Sequence, residues 1–99
     1  MINKMVTYKV RKDSIDEAKM LVREFVENII LNEEDTLLYR TLQHSDDPTQ
    51  FIHFMTFEDE YAEEQHQNSN YHEEFLSSME ELCDGSIKIT NLNRLAFHD

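Results

Sequence analysis

Phe51, Ile52, His53, Phe54, Met55, Thr56 and Phe57 run without interruption into Glu58, Asp59, Glu60, Tyr61 and Ala62, and then on to His66, Ser69 and Phe75. The first seven residues are rich in the aromatic and β-branched types that suit a pleated, half-buried surface, so they form a strand. Glu58, Asp59 and Glu60 then place negative charge where a helix N-terminus would sit, which complements the positive end of the helix dipole. A strand that hands over to a helix in this way is joined to its own cover. The space between the two is where a small open sheet can leave room for a ligand.

Working outward, Thr36–Gln43 holds Leu37, Leu38, Tyr39, Thr41 and Leu42, a strand with apolar side chains on both faces. Ser45, Asp46, Asp47 and Pro48 supply turn chemistry before Gln50, so this strand and Gln50–Phe57 should form a hairpin. Near the N-terminus Val6, Tyr8 and Val10 alternate with Met5, Thr7 and Lys9, the two-residue period of another strand. Ser14 and Glu17 fit a capping box, and Ile15, Ala18, Val22, Phe25 and Ile29 share one face of a helix from Ile15 to Ile30. Asn68, Ser69 and Asn70 favour local side-chain bonds over helix, so the second helical region should come in two pieces, with Ser69 capping the second. Tyr71, Phe75, Met79 and Leu82 give that piece its apolar stripe, and Gly85 stands where a left-handed helix end would fall. A last strand is expected from Ser86 to Leu95, with a bulge or register change near Asn91 because Leu92 falls on the face opposite Ile87 and Ile89.

The element order is therefore β-α-β-β-α-β, an α+β chain forming a ferredoxin-like, four-stranded antiparallel sheet with its helices on one face, in a single domain over residues 1–99. One helix layer cannot hide both faces. Strand two turns Leu38 and Leu42 away from Leu37, Tyr39 and Thr41, and strand three turns Ile52 and Phe54 away from His53, Met55 and Phe57. A homodimer packed sheet to sheet is the expected solution. A net charge of −12 argues against nucleic acid or an anionic membrane surface as partner, because both are recognised through Lys and Arg. No apolar stretch approaches the length of a membrane span, Met1 to Lys9 lacks a signal-peptide core, and the single Cys83 cannot form an internal disulfide, so a cytoplasmic setting is expected.

Tyr8 to Lys12 ahead of helix one, Leu37 to Arg40, Asp46 to Phe51, and Phe57 to Ala62 followed by His66, Ser69 and Phe75 together resemble the antibiotic biosynthesis monooxygenase (ABM) family of dimeric α+β barrels. The likeness runs over about residues 5 to 95. It implies a dimer with a pocket in each subunit between sheet and helices. It also implies cofactor-free oxygenation, or a related isomerisation, of a small aromatic, quinol, quinone-like or anthrone-like molecule. Departures from the family pattern are specific. Phe57 stands where many members have Trp, Asp35 and Thr36 where many have Gly, and the first strand reads Val6, Thr7, Tyr8 without the Asn of haem-degrading relatives. Haem degradation is accordingly disfavoured.

His53 shares a strand face with Phe57, so an imidazole at the pocket floor could take a proton from a phenol, its ordinary pKa being near 6.5. A half-buried His bonded to a neighbouring Tyr is the plainer role. Ala62, His66 and Ser69 favour one helical face, with His66 turned inward either as a proton acceptor or as a fold-holding hydrogen-bond partner. Tyr8, Tyr39, Phe57 and Ala62 are the candidate substrate-binding residues, the tyrosines also being ordinary core residues with a polar tip. Glu63, His66 and His72 offer only a weak metal reading, and no second Glu-x-x-His pair completes a di-metal site. No metal and no cofactor are therefore expected. The leading function is a cofactor-independent monooxygenase or isomerase using His53 or His66; the alternative is a non-enzymatic dimeric module that binds a small ligand and whose histidines are structural, and a third is coordination of haem or a metal.

Overall fold

The computed structural model describes residues 1–98. Strand β1 (Ile2–Lys9) leads through a single 3-10 turn at Lys12–Ser14 into helix α1 (Ile15–Asn32), followed by β2 (Thr36–Gln43) and β3 (Gln50–Phe57). Helices α2 (Glu60–Gln67) and α3 (Asn70–Leu82) precede the last strand, β4 (Lys88–Leu92). The sheet order is β2-β3-β1-β4 and all three pairings are antiparallel. The fold is thus ferredoxin-like, with the element order that the sequence predicts.

Both interior strands place alternate residues under the helices. Tyr8 and Val10 from the β1 end and Phe51 from β3 are buried there against Ala18, Val22, Phe25 and Ile29 of α1 and Phe75, Met79 and Leu82 of α3. Met55 and Phe57 of β3 form a second cluster with Ala62 of α2, and His53 is buried on the same face of β3. The hairpin between β2 and β3 closes as its turn residues require. Asp47 accepts from the Thr49 backbone N–H and hydroxyl and from the Gln50 side chain, while His44 Nδ1 accepts from the N–H groups of Asp46 and Asp47. The opposite sheet face has no helix. Pairing puts Met5 beside Phe54 and Thr90, and Leu42 beside Ile52, on that surface, where Leu42 and Leu92 remain exposed.

Five local expectations need correction. Ser14 does not close a capping box: its side chain makes no cap hydrogen bond and instead donates to Asp13, because the preceding 3-10 turn already carries the chain into the helix. The last strand ends at Leu92, short of Leu95, and pairs with β1 in unbroken register, so there is no bulge near Asn91. Asn91 simply alternates, sending Leu92 to the helix-free face. The one register shift lies instead between Thr36 and Leu38 on edge strand β2, where an irregularity also blunts the edge against further pairing. Helix α1 runs two residues past the expected Ile30, and α3 ends at Leu82, so Gly85, with φ +102°, shapes the turn into β4 rather than the helix end itself.

The break at Asn68–Asn70 is present as expected. Asp59 accepts from the Ala62 N–H at 2.9 Å, and Ser69 accepts from the His72 N–H at 3.2 Å while donating to the His66 carbonyl at 2.8 Å. Each cap satisfies a donor that the first helical turn leaves unpaired. Asp59→Ala and Ser69→Ala should each lower unfolding free energy by about 1 kcal/mol, whereas Ser14→Ala should cost less than about 0.5 kcal/mol; urea denaturation of the three variants checks the contrast.

Candidate active site

A cavity of about 290 Å³ lies between the sheet and the helices. Its walls are mostly apolar and aromatic: Val6, Met55 and Phe57 from the strands, Phe25 from α1, and Phe75 and Leu76 from α3. Ile89, 60% exposed, stands on its open side, and Lys4 enters from β1 already paired with Glu63 of α2. The histidines His53, His66 and His72 supply polarity within this wall. On one continuous helix His66 and His72 would point about 120° apart, since each residue turns the helix by about 100°. The break at Ser69 resets that phase, and their rings sit 4.8 Å apart, centroid to centroid.

His53, 1% exposed, has both ring nitrogens occupied. Nε2 lies 2.7 Å from the Tyr8 hydroxyl and Nδ1 lies 2.7 Å from the Tyr39 hydroxyl, with Thr41 Oγ1 at 3.3 Å. Burial, with a smaller contribution from His66, pushes the His53 pKa down to about 3, so the ring is neutral near pH 7. Burial likewise drives Tyr8 and Tyr39 far above the usual tyrosine range, so both remain phenols. A neutral imidazole between two phenols has one donor and one acceptor nitrogen, and both are in use.

His66 is bonded differently. Its Nδ1 sits 2.9 and 3.0 Å from the two oxygens of Glu33 and donates to that carboxylate. Glu33 is itself nearly inaccessible, with 6% side-chain exposure, and also accepts from Tyr71 and, at 2.6 Å, from Thr36. Burial alone would raise its pKa, but the hydrogen bonds from His66, Thr36 and Tyr71 outweigh that and hold the carboxyl below its ordinary range. Nδ1 is committed to Glu33, and no protein group among the described residues bonds to Nε2. A carboxylate behind one nitrogen and a ligand cavity before the other is the arrangement that orients a general base.

The model of the antibiotic biosynthesis monooxygenase family matches residues 1–77. This chain belongs to that family. A candidate antibiotic biosynthesis monooxygenase from Nitrosomonas europaea is 20% identical, with a TM-score of 0.89 over 97% of this chain and 100% of its own. A Pseudomonas aeruginosa protein is 25% identical with a TM-score of 0.84, covering 96% of this chain and 94% of its own. A conserved Methanosarcina mazei protein is 21% identical, with a TM-score of 0.86 over 95% and 92% of the two chains. Among curated proteins none matches the sequence. Within the ABM fold, the sheet-to-helix cavity of this member gathers His53, His66, Tyr39 and Phe57 from the sequence-derived candidates. Tyr8 reaches the cavity only through His53, and Ala62 is buried against Met55 and Phe57 behind the wall.

Glu33 and its partner Tyr71 were not legible as site residues. The available clue is position: an acid at the C-terminal end of α1, where the helix dipole disfavours negative charge, needs a specific partner to be kept. The metal reading of Glu63, His66 and His72 meets other bonding, with Glu63 paired to Lys4 and His66 to Glu33. No group of three or more His, Cys, Asp or Glu side chains among the described residues is placed to hold a metal ion. No helix there is long and apolar enough to cross a membrane.

Acid should destabilise the fold through these groups. Below pH 6.5 the unfolded chain protonates His53 but the folded chain does not until about pH 3, so stability falls as pH drops through that interval, by about 1.4 kcal/mol per pH unit for this residue. Half-buried His72, pushed down to about 4 by burial and by His66, acts in the same direction over a narrower interval. The Glu33 contribution is present above the ordinary glutamate value of 4.5 and is lost as pH falls through its lower folded value. Ring-proton NMR should show His53 unchanged from pH 8 to pH 4.5, and a His53 midpoint near 6.5 would contradict this burial argument.

Proposed function

We propose that this ABM protein is a cofactor-independent monooxygenase of a small planar aromatic, quinol or anthrone-like metabolite, with His66 as the proton acceptor. The observation that carries the proposal is the Glu33–His66 pair, which leaves Nε2 of a buried imidazole at the wall of a mostly apolar cavity. Of the two candidate histidines, His53 has no nitrogen to spare. A dry engineered cavity of about 150 Å³ accommodates benzene, so about 290 Å³ suits two or three fused rings, and the aromatic wall favours a flat one.

For an anthrone-like ring, His66 Nε2 takes a proton from the acidic ring methylene, and the imidazolium that forms lies against the Glu33 carboxylate. Dioxygen adds to the resulting electron-rich anion to give a peroxide anion, which takes the proton back from the His66 imidazolium to become a hydroperoxide and restores the base. Loss of the remaining C–H proton with cleavage of the O–O bond leaves a carbonyl and releases water, so the methylene and one O₂ become one C=O and one H₂O. Phe57 contributes an apolar wall and, unlike an indole, no hydrogen-bond donor.

The working unit is proposed to be a homodimer. Met5, Leu38, Leu42, Ile52, Phe54 and Leu92 give the helix-free sheet face an apolar surface that a second copy would cover. Sedimentation should give twice the 11.9 kDa chain mass at micromolar concentration, and Phe54→Glu should shift it to the monomer.

Oxygen uptake with a panel of anthrones and quinols tests the chemistry. His66→Gln should lower kcat by about 100-fold or more, the usual worth of a positioned general base. Full activity in that variant would refute the role of His66. Tight binding of panel members without any oxygen uptake would instead favour a ligand-binding module, the second function considered from the sequence.

A further inference from the structure

The Tyr8–His53–Tyr39 chain contains three exchangeable hydrogens: one on each phenol and one on the neutral ring. Only two hydrogens can lie within its two links, so one is left over at an end of the chain. The two ends are not equivalent. Tyr8 is 5% exposed and stacked on Phe51, with ring centroids 5.5 Å apart and planes within 10°, and His53 Nε2 is the only bonding partner of its hydroxyl among the described residues. Tyr39 belongs to the cavity wall. Were the leftover hydrogen on Tyr8, an O–H would be sealed in the core without an acceptor, the costly way to bury a polar group. At the Tyr39 end it can be satisfied by whatever occupies the cavity. The arrangement with every buried hydrogen satisfied has Tyr8 O–H donating to Nε2, and Nδ1–H donating to Tyr39 Oη, with Thr41 Oγ1 as a secondary acceptor.

We infer that Tyr8, His53 and Tyr39 form a hydrogen-bond chain of fixed direction that presents the Tyr39 O–H to the cavity as a donor, making Tyr39 a catalytic residue that stabilises an oxyanion of the substrate. His53 and Tyr8 are positioning residues that act through it. This deepens the proposed function and rests on the cavity being the substrate site. It also narrows the substrate class. His66 removes a proton at one place while Tyr39, its ring centroid 5.7 Å from that of His66, donates to an oxygen at another. The compound that gains from both carries a carbonyl conjugated with its acidic C–H or O–H, so that deprotonation sends negative charge onto the oxygen held by Tyr39. A simple phenol or arene lacking that carbonyl gains from His66 alone. Keeping both tyrosines as phenols, far above their usual titration range, is consistent with donation rather than ionisation.

The direction of the chain is measurable without any ligand. In ¹⁵N-labelled protein at pH 7, long-range ¹H–¹⁵N correlation should place the His53 proton on Nδ1, with Nε2 at the shift of an acceptor nitrogen. A proton on Nε2 would reverse the chain and overturn the inference. The consequence for the cavity is read with 4-hydroxybenzaldehyde, a phenol conjugated with a carbonyl whose ionisation is visible in its absorbance. Tyr39→Phe should raise the apparent pKa of the bound probe by about one unit, a tenfold loss in its ionisation constant, and Tyr8→Phe should move it in the same direction although Tyr8 does not touch the cavity. An unchanged value in Tyr39→Phe removes the donor role, and an unchanged value in Tyr8→Phe removes the relay behind it. Failure of the probe to bind wild-type protein would count against the cavity as the substrate site, while the His53 proton position still decides the direction of the chain. Both substitutions delete a single oxygen, and unaltered methyl spectra show that the variants are folded.

Discussion

Four elements meet at one buried carboxylate. Glu33 leaves the end of α1 and takes hydrogen bonds from Thr36 at the start of β2, His66 on α2 and Tyr71 on α3. A carboxylate at the wrong end of a helix dipole, with almost no contact with water, is tolerated only because its lone pairs are filled this completely. Removing one of these donors leaves a lone pair of the carboxylate unsatisfied, typically a loss of about 1–3 kcal/mol, so the cluster ties the helix layer to the sheet edge and fixes the His66 ring at the same time. The demand for satisfaction of one anion thus sets the geometry of the cavity wall.

The two cavity histidines show how burial and bonding divide similar side chains between different tasks. His53 faces two phenols and no charge, and desolvation keeps it neutral. His66 faces a carboxylate, so a proton arriving on its free nitrogen creates a compensated pair rather than an isolated cation. Placement of both rings in one apolar cavity separates the acceptance of a proton from the donation of a hydrogen bond, a division that acid–base sites commonly require.

Most of the fold was legible because its elements announce themselves locally. The limits of β2 and β3 follow from an uninterrupted β-prone run bounded by turn residues, and the break at Ser69 follows from three consecutive residues that prefer local hydrogen bonds. Ser14 misled because a capping box was assigned from spacing while a 3-10 turn, invisible to that pattern, had already set the helix entry. Apolar content from Ile87 to Leu95 suggests a longer β4 than the five residues, Lys88–Leu92, that pair with β1, because hydrophobicity alone does not mark where a ladder stops. The site was half legible. Inward-facing His53, His66 and Tyr39 come from periodicity, but Glu33 lies 33 residues from its histidine partner, and a contact across that distance leaves no trace in spacing.

The short helix α2 makes the site intolerant of changes in chain length. Its eight residues are pinned at one end by Asp59 and at the other by Ser69, so it has no spare turn in which to absorb an insertion. A single residue added between Asp59 and His66 would swing the imidazole by about 100° around the helix axis, away from Glu33 and out of the cavity, while the sheet beneath stayed whole. Point substitution along α2 keeps that phase, and the hairpin and the α3–β4 connection can take added residues without rotating a helix that aims a side chain at the cavity.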